Sequence, residues 1–248
     1  MPLLRKIALS VAVFLAFSLG AQSLLSNETL HYDVVYHWGL IWKHAASATL
    51  SLKATSGCYK AALAARTISW ADKIYPVRDT LKCTISRDVL PLHYEKISHE
   101  DDFYGRDVVD FVHSDKGSVG KCVVHRKTYS RDTTLYSSHH AYDMLSVFYY
   151  LRTLDFAGMK TGATVEIPIF SGRMQERLLI RFEGIDNIKL RDKTPHRAYH
   201  VKFKFSQDGR KKSSDDIDAW ISMNPKHIPL MIRGKLPIGE MRVYYNSK

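Results

Sequence analysis

Apolar and polar residues alternate with a period of two through most of this chain, and that period marks β-strands half buried in a sheet. Leu30, Tyr32, Val34, Tyr36 and Trp38 alternate with His31, Asp33, Val35 and His37. Successive strand side chains point to opposite faces, so this segment has one aromatic, apolar face. Ala46, Ala48, Leu50 and Leu52 form the next such row. Leu178, Ile180 and Phe182, then Tyr199, Val201, Phe203 and Phe205, repeat the pattern later in the chain. Further strands are expected at 59–67, 80–86, 90–98, 107–111, 119–126 and 165–170. The chain closes with strands around Trp220, at 230–234 and at 240–245. Turn residues such as Asp115-Lys116-Gly117, Ser171-Gly172 and Gln207-Asp208-Gly209 separate them. Many short strands joined by tight turns predict a mainly β protein, either a curved antiparallel sheet or an incomplete barrel or sandwich.

One segment departs from this period. Between His140 and Arg152, Ala141, Met144, Leu145, Phe148 and Leu151 fall at helical spacing, and Tyr142, Val147, Tyr149 and Tyr150 fill most of the remaining circumference. A helix that is apolar nearly all round is buried. The spacing therefore predicts one central helix over 140–152, held in the concave side of the sheet between half-sheets at 28–130 and 160–245. A weak internal echo supports two related halves. Thr84-Ile85-Ser86, followed by Leu90-Pro91-Leu92, resembles Trp220-Ile221-Ser222, followed by Ile228-Pro229-Leu230.

The N-terminus carries Arg5 and Lys6, an apolar run from Ile7 to Leu19, and small residues at Gly20, Ala21 and Ser23. This is the pattern of a secretory leader, expected to span residues 1–23. The run is short for a permanent span, which needs about 20 apolar residues. No Cys stands at the exit, which argues against a lipoprotein anchor. One β-rich domain is then expected over 24–248, exported to the periplasm. A domain of this size buries about 70% of its unfolded surface and needs no metal or disulfide. The formal net charge is +11. Export keeps a basic chain away from nucleic acid, so the expected partners are envelope lipid, lipopolysaccharide or glycan, with peripheral membrane contact or a protein partner alongside. Cys58, Cys83 and Cys122 cannot all pair within one chain, and their spacing leaves the pairing open. Cys83 alternates with Leu81 and Ile85 and is expected in the core.

The chain resembles the exported bacterial domain-of-unknown-function 3108 family. The resemblance rests on Tyr32, Tyr36, Gly39 and Leu40, on Asp79 and Leu90-Pro91, and above all on the stretch from Asp143 to Arg152. Glu183-Gly184, Trp220-Ile221-Ser222, Ile228-Pro229-Leu230 and Ile238-Gly239 complete it. The resemblance implies export and a β-rich domain, and it brings no reaction and no catalytic residues.

No residue cluster forces one chemistry. There is no nucleophile elbow, Gly-rich phosphate loop or zinc spacing, so no cofactor is implied. His139-His140 with Asp143 reads as a helix-entry cluster rather than a metal site, and Asp143 suits a helix start. His200, Lys202 and Lys204, with Arg210-Lys211-Lys212, make a basic hairpin suited to an electrostatic contact. Trp38, Trp42, Trp70 and the many Tyr residues suit a sugar- or acyl-lined concavity. The expected ligand-binding residues are Trp70, Arg78, Asp79, Asp143, Tyr149, Tyr150, Arg152 and Lys202. The leading expectation is a non-enzymatic binding or envelope-assembly protein. By analogy with lipoprotein-carrier half-barrels, an apolar ligand would lie between sheet and helix. A glycan-acting enzyme using Asp79 with Asp143, and a partner-binding domain with a free edge strand, are the alternatives.

Overall fold

The computed structural model describes residues 25–207, 216–236 and 238–247. The predicted leader and the Arg210-Lys211-Lys212 turn lie outside the described residues. The first half of the chain gives β1 (Glu28–Trp38), β2 (Ile41–Ala54), β3 (Cys58–Thr67), α1 (Ser69–Asp72), β4 (Val77–Ser86), β5 (Pro91–Glu100), β6 (Phe103–Ser114), β7 (Gly117–Arg126) and β8 (Ser130–Ser137). The second half gives α2 (Ser146–Leu151), β9 (Thr164–Phe170), β10 (Gln175–Lys189), β11 (Pro195–Gln207), β12 (Ile217–Ser222), β13 (Pro229–Lys235) and β14 (Glu240–Asn246).

All fourteen strands form one antiparallel sheet in the order β8-β7-β6-β5-β4-β3-β2-β1-β14-β13-β12-β11-β10-β9, curled into a nearly closed barrel. Every neighbouring pair but one is joined by a chain connection. The exception is β1 with β14, paired from His31↔Asn246 to His37↔Glu240. The strands form one continuous sheet; the chain before α2 supplies β1–β8, as far as Ser137, and the chain after it supplies β9–β14. The strand period holds through the registers: Leu50, Leu63, Leu81 and Lys96 lie in one row across β2–β5. A membrane-spanning barrel turns an apolar belt outward. Here the outward face carries Lys53, Lys60, Lys82 and Arg106, with Glu95 pairing to Lys82 and Arg106. Among the described residues no helix is long and apolar enough to cross a membrane.

The sequence echo is a structural echo. The β4–β5 and β12–β13 hairpins each carry a register shift, after Thr84 and after Trp220, which sets Ile85 opposite Pro91 and Ile221 opposite Pro229. Each turn is closed by a serine, whose N–H donates to the carbonyl six or four residues on (Ser222 to Ile228, Ser86 to Leu90). The same serine's hydroxyl accepts the N–H of Ile228 or Leu90 in return. Val89 and His227 take positive φ just before the aliphatic-Pro pair. Proline is tolerated there because a strand's first residue need not donate to the ladder.

The central helix is shorter than the 140–152 expected from its spacing. Only Ser146–Leu151 is α-helical. The residues before it have other partners: the N–H of Tyr142 donates to Pro168 and the N–H of Phe170 donates to Tyr142, a parallel bridge on the free edge of β9. The 3.6-residue apolar spacing therefore comes from a strand-like entry plus a short helix, both facing the core. Two of the core clusters meet at this segment. Ala141, Leu145 and Tyr149 pack with Leu50, Leu52, Tyr59, Ile85 and Tyr94 from the first half-sheet. Tyr142, Val147 and Leu151 pack with Ile167, Ile180, Phe182, Tyr199 and Ile221 from the second.

The barrel closes by overlap. The end of β9 lies across the inner face of β6 and β7, where Phe170 stacks on Phe111 with ring centroids 5.7 Å apart. Gly120 on β7 makes room for it: a Cβ there would stand 2.5 Å from the buried Phe170 ring. Gly120→Val should therefore wedge the seam open and lower stability by about 1–3 kcal/mol. Urea unfolding followed by circular dichroism reads this, and an unchanged midpoint would refute the overlap.

Candidate functional site: the open end of the barrel

Antiparallel order gives the barrel two distinct ends. The β2–β3, β4–β5, β6–β7 and β12–β13 turns, with α2, crowd one end. The β1–β2, β3–β4, β5–β6, β7–β8, β9–β10 and β13–β14 turns ring the other. At the first end the concave side is filled. At the second, inward side chains keep part of their surface accessible: Leu63 and Leu81 on one wall, Phe203, Ile232 and Val243 on the other, with Phe148 and Tyr150 of α2 as the floor. Ala46, Ala48 and Ala65 on the same wall are too small to fill the space between them.

Polar groups line one side of this open half. Inward-facing Asp79, Ser98 and Gly105 lie in register, and the next row is Leu81, Lys96 and Asp107. The Asp79 carboxylate accepts from Ser98 Oγ at 3.4 Å through Oδ2, and Lys96 Nζ lies 3.9 Å from the same oxygen. Its Oδ1 is buried without a hydrogen-bond partner among the described residues, as are the Tyr32 and Tyr94 hydroxyls. Asp107 is tied down differently. Its Oδ1 lies 2.7 Å from Arg126 Nη2, and Arg173 of the β9–β10 turn stands 4.0 Å away. Lys96 is therefore a weakly held cation facing the open half.

The filled end is a polar knot inside an apolar plug. Asp143 is fully buried. Its Oδ1 accepts the N–H groups of Leu145 and Ser146 at 2.7 and 2.8 Å, and its Oδ2 accepts from Cys83 Sγ at 3.0 Å. Helix starts leave N–H groups unpaired, and this carboxylate satisfies two of them. Burial pushes the Asp143 carboxyl above the ordinary carboxylate range, against the opposing pull of these hydrogen bonds. Burial also pushes the Cys83 thiol well above its usual value, with the neighbouring Asp143 adding to it. Cys122 is pushed up to about 11 by burial. At the other end of the helix, buried Arg152 forms a two-pronged ion pair with Glu28 and donates from Nε to the Lys226 carbonyl at 2.8 Å. The ring Nδ1 of His227 lies 2.9 Å from the Arg152 carbonyl.

The eight residues singled out from sequence do not form one site. Asp79 and Tyr150 reach the open half. Trp70 sits at its rim in α1, half-buried, donating from Nε1 to the His44 carbonyl at 2.6 Å. Asp143, Tyr149 and Arg152 belong to the plug, so Arg152, expected among the ligand-binding residues, stands away from the opening. Arg78 points outward to Asp72 at 2.7 Å. Lys202 also faces outward, opposite Asp218. The basic strand face is partly neutralised there, because His200 lies 2.8 Å from Asp218 and 3.1 Å from Asp186. The Asp79–Asp143 pair faces no common cleft, since both Asp143 oxygens are occupied inside the plug. Cys58, Cys83 and Cys122 are free thiols. Of the two edge strands, β8 carries Arg131 and Asp132, and β9 is bridged by Tyr142. Sequence reasoning passed over Lys96 and Glu28. Only the parity of Lys96 with Tyr94 pointed to its inward direction.

The family described as a protein of unknown function, DUF3108, matches residues 31–245. No curated protein matches the chain. Among solved structures, the crystal structure of a beta-barrel-like protein of domain of unknown function DUF1849 from Brucella abortus is similar, with a TM-score of 0.59 and 11% identity. That match covers 90% of this chain and 96% of the other. A "putative lipoprotein" from Parabacteroides distasonis ATCC 8503 aligns with a TM-score of 0.34 and 6% identity, over 90% of this chain and 96% of the other.

Two predictions follow from the plug. Arg152→Ala strands the buried Glu28 and should lower stability by about 3–5 kcal/mol in urea unfolding; a near-neutral result would place the pair in solvent. Asp143→Asn keeps an acceptor for the helix start but cannot ionise. Because the folded carboxyl binds its proton more tightly than the unfolded one, its contribution is complete below the ordinary carboxylate value of about 4 and is lost as pH rises through the folded value. The wild-type-minus-variant stability should therefore fall as pH rises from about 4, and a difference that is flat or rises with pH would refute it.

Proposed function

We propose, for a chain that belongs to the DUF3108 family, that it is a non-enzymatic binding protein of the bacterial cell envelope, holding the apolar part of an anionic amphipathic lipid in the open half of its barrel. The observation that carries this reading is the asymmetry of the concave face: one end is packed shut by α2, while the other keeps Leu63, Leu81, Phe203, Ile232 and Val243 half-buried. A concave, mostly apolar wall with a few polar groups is how proteins hold small apolar ligands. An acyl chain would lie along these side chains. Its anionic head would meet Lys96, whose hold on Asp79 is long at 3.9 Å. The basic balance of +11 favours an anionic ligand over a neutral one. Both the envelope location and the export step are part of this proposal.

Gentle purification from envelope extracts, followed by native mass spectrometry, should give a reproducible lipid adduct. Leu81→Trp, which fills the open half, should reduce retained lipid per folded molecule by at least about tenfold, the worth of one lost aliphatic contact surface. Lys96→Glu should weaken anionic lipids more than neutral ones. Arg78→Ala, on the outside, should change neither. A bare protein that also takes up no added lipid, or Leu81→Trp with wild-type retention, would overturn the reading.

A further inference from the structure

Among the described residues seventeen large apolar side chains are exposed, and they are not scattered evenly. The filled end and the strand flanks hold single ones, such as Leu92, Val112 and Met223. The turns at the open end hold them in groups. The β1–β2 turn presents Trp38, Leu40, Ile41 and Trp42, with Leu40 fully exposed. The β13–β14 turn beside it presents Leu236, Ile238 and Met241, and the β3–β4 connection presents Ile74 and Tyr75.

The first two turns form one rigid patch, because β1 pairs with β14. Tyr36 Oη donates to the Ile238 carbonyl at 3.0 Å. Gly239, at φ +79°, lets the second turn settle on the first: a Cβ there would stand 2.3 Å from the His37 carbonyl oxygen. Trp42 is held between the His37 ring, stacked at 3.7 Å, and the Arg242 guanidinium, 4.5 Å from its ring centre. Apolar turn tips held this firmly, and not folded back on the barrel, carry a cost in water that a lone exposed leucine does not.

Cations border the patch. Lys43 lies 4.1 Å from the Trp70 ring centre, Lys235 leads into the β13–β14 turn, and Lys73 stands beside Ile74. Beside the first two turns Glu240 is paired with Arg242 at 2.5 Å, and Asp72 of α1 is paired with Arg78 at 2.7 Å; the β3–β4 connection also meets carboxylate, since Tyr75 Oη donates to Glu100 at 3.5 Å. Aliphatic tips, tryptophan behind them and lysine at the border form a graded sequence from hydrocarbon to headgroup.

We propose that the open end of the barrel docks on an anionic lipid bilayer, with the β1–β2 and β13–β14 turns inserted among the lipid headgroups and Lys43, Lys73 and Lys235 against the lipid phosphates. The occupant is a bilayer and not a protein because the apolar groups stand on separate protruding turns, and because Lys43 and Lys235 flank the β1–β2 and β13–β14 turns while the carboxylate between them, Glu240, is paired with Arg242. Docking is reversible, since a few side chains and charges reach far less energy than a membrane span. This contact stands on the outward turns and needs nothing held in the concave half. Where the lipid-holding reading also applies, it brings the opening of the barrel to the surface that supplies its ligand.

The test uses residues 24–248, which contain all fourteen strands of the sheet, and vesicles of phosphatidylcholine alone or with phosphatidylglycerol. Flotation should show binding to the mixed vesicles, with tryptophan emission shifted to the blue and quenched by brominated acyl chains. Leu40→Ser with Ile238→Ser alters two exposed tips and should weaken partition at least about tenfold, with circular dichroism unchanged. Lys43→Glu with Lys235→Glu should cost about fivefold or more per charge on the mixed vesicles only. Leu81→Trp should bind vesicles as the wild type does, so failure of the lipid-holding reading leaves this one standing. No partition, or partition untouched by the tip variant, would overturn the proposal. So would a concentration-dependent dimer that the tip variant dissociates, since the patch would then belong to a second copy.

Discussion

The pairing of β1 with β14 organises this molecule. Fourteen strands in simple succession would place their two free edges at the chain's ends. Here the first and last strands meet in the middle of the sheet, so the free edges become β8 and β9, neighbours in sequence at the chain's centre. The 26 residues between Ser137 and Thr164 must then run from one edge to the other. The short path lies along the concave side. That is why the one markedly non-alternating stretch is also the plug of the barrel, and why Tyr142 can patch the edge of β9 on the way.

A plug reached by this route has to satisfy its own backbone far from water. Asp143 does so at the start of α2, and the echo hairpins do the rest. Cys83, just before the β4–β5 turn, donates to Asp143, and His227 of the β12–β13 turn meets the last carbonyl. Arg152 is affordable in such a place only because Glu28 pairs with it and the Lys226 carbonyl takes a further N–H. Breaking such a buried pair leaves a lone charge in a medium that solvates it poorly. These contacts hold α2 in the first end of the barrel, and among the described residues no element fills the second.

Polarity along the barrel axis is the consequence with functional weight. The same strand alternation that builds the core continues past the plug, so inward aliphatic and aromatic side chains reach the open end with nothing among the described residues packed over them. There they meet turns that point apolar residues outward. An opening lined inside with apolar groups and ringed outside with more of them, in a basic protein, has the chemistry of a contact with amphipathic, anionic material.

Much of this was legible from the residues alone. Alternation with a period of two follows from strand geometry, so the strands, the antiparallel barrel-like class, the inward Cys83 and the single apolar segment at the centre could all be read directly. The matched Ile85–Pro91 and Ile221–Pro229 hairpins were visible as an echo. What the residues could not show was who meets whom across the curled sheet. Arg152 looked like a headgroup partner because its partner, Glu28, lies 124 residues away. Nothing local marked Lys96 as facing an opening, and nothing in the sequence joined Leu40 to Ile238. Local order determines which face a side chain takes, because it depends only on neighbouring dihedrals. The end of the barrel it comes to rest in, and what covers it there, depend on the β1–β14 pairing, which joins residues some two hundred positions apart.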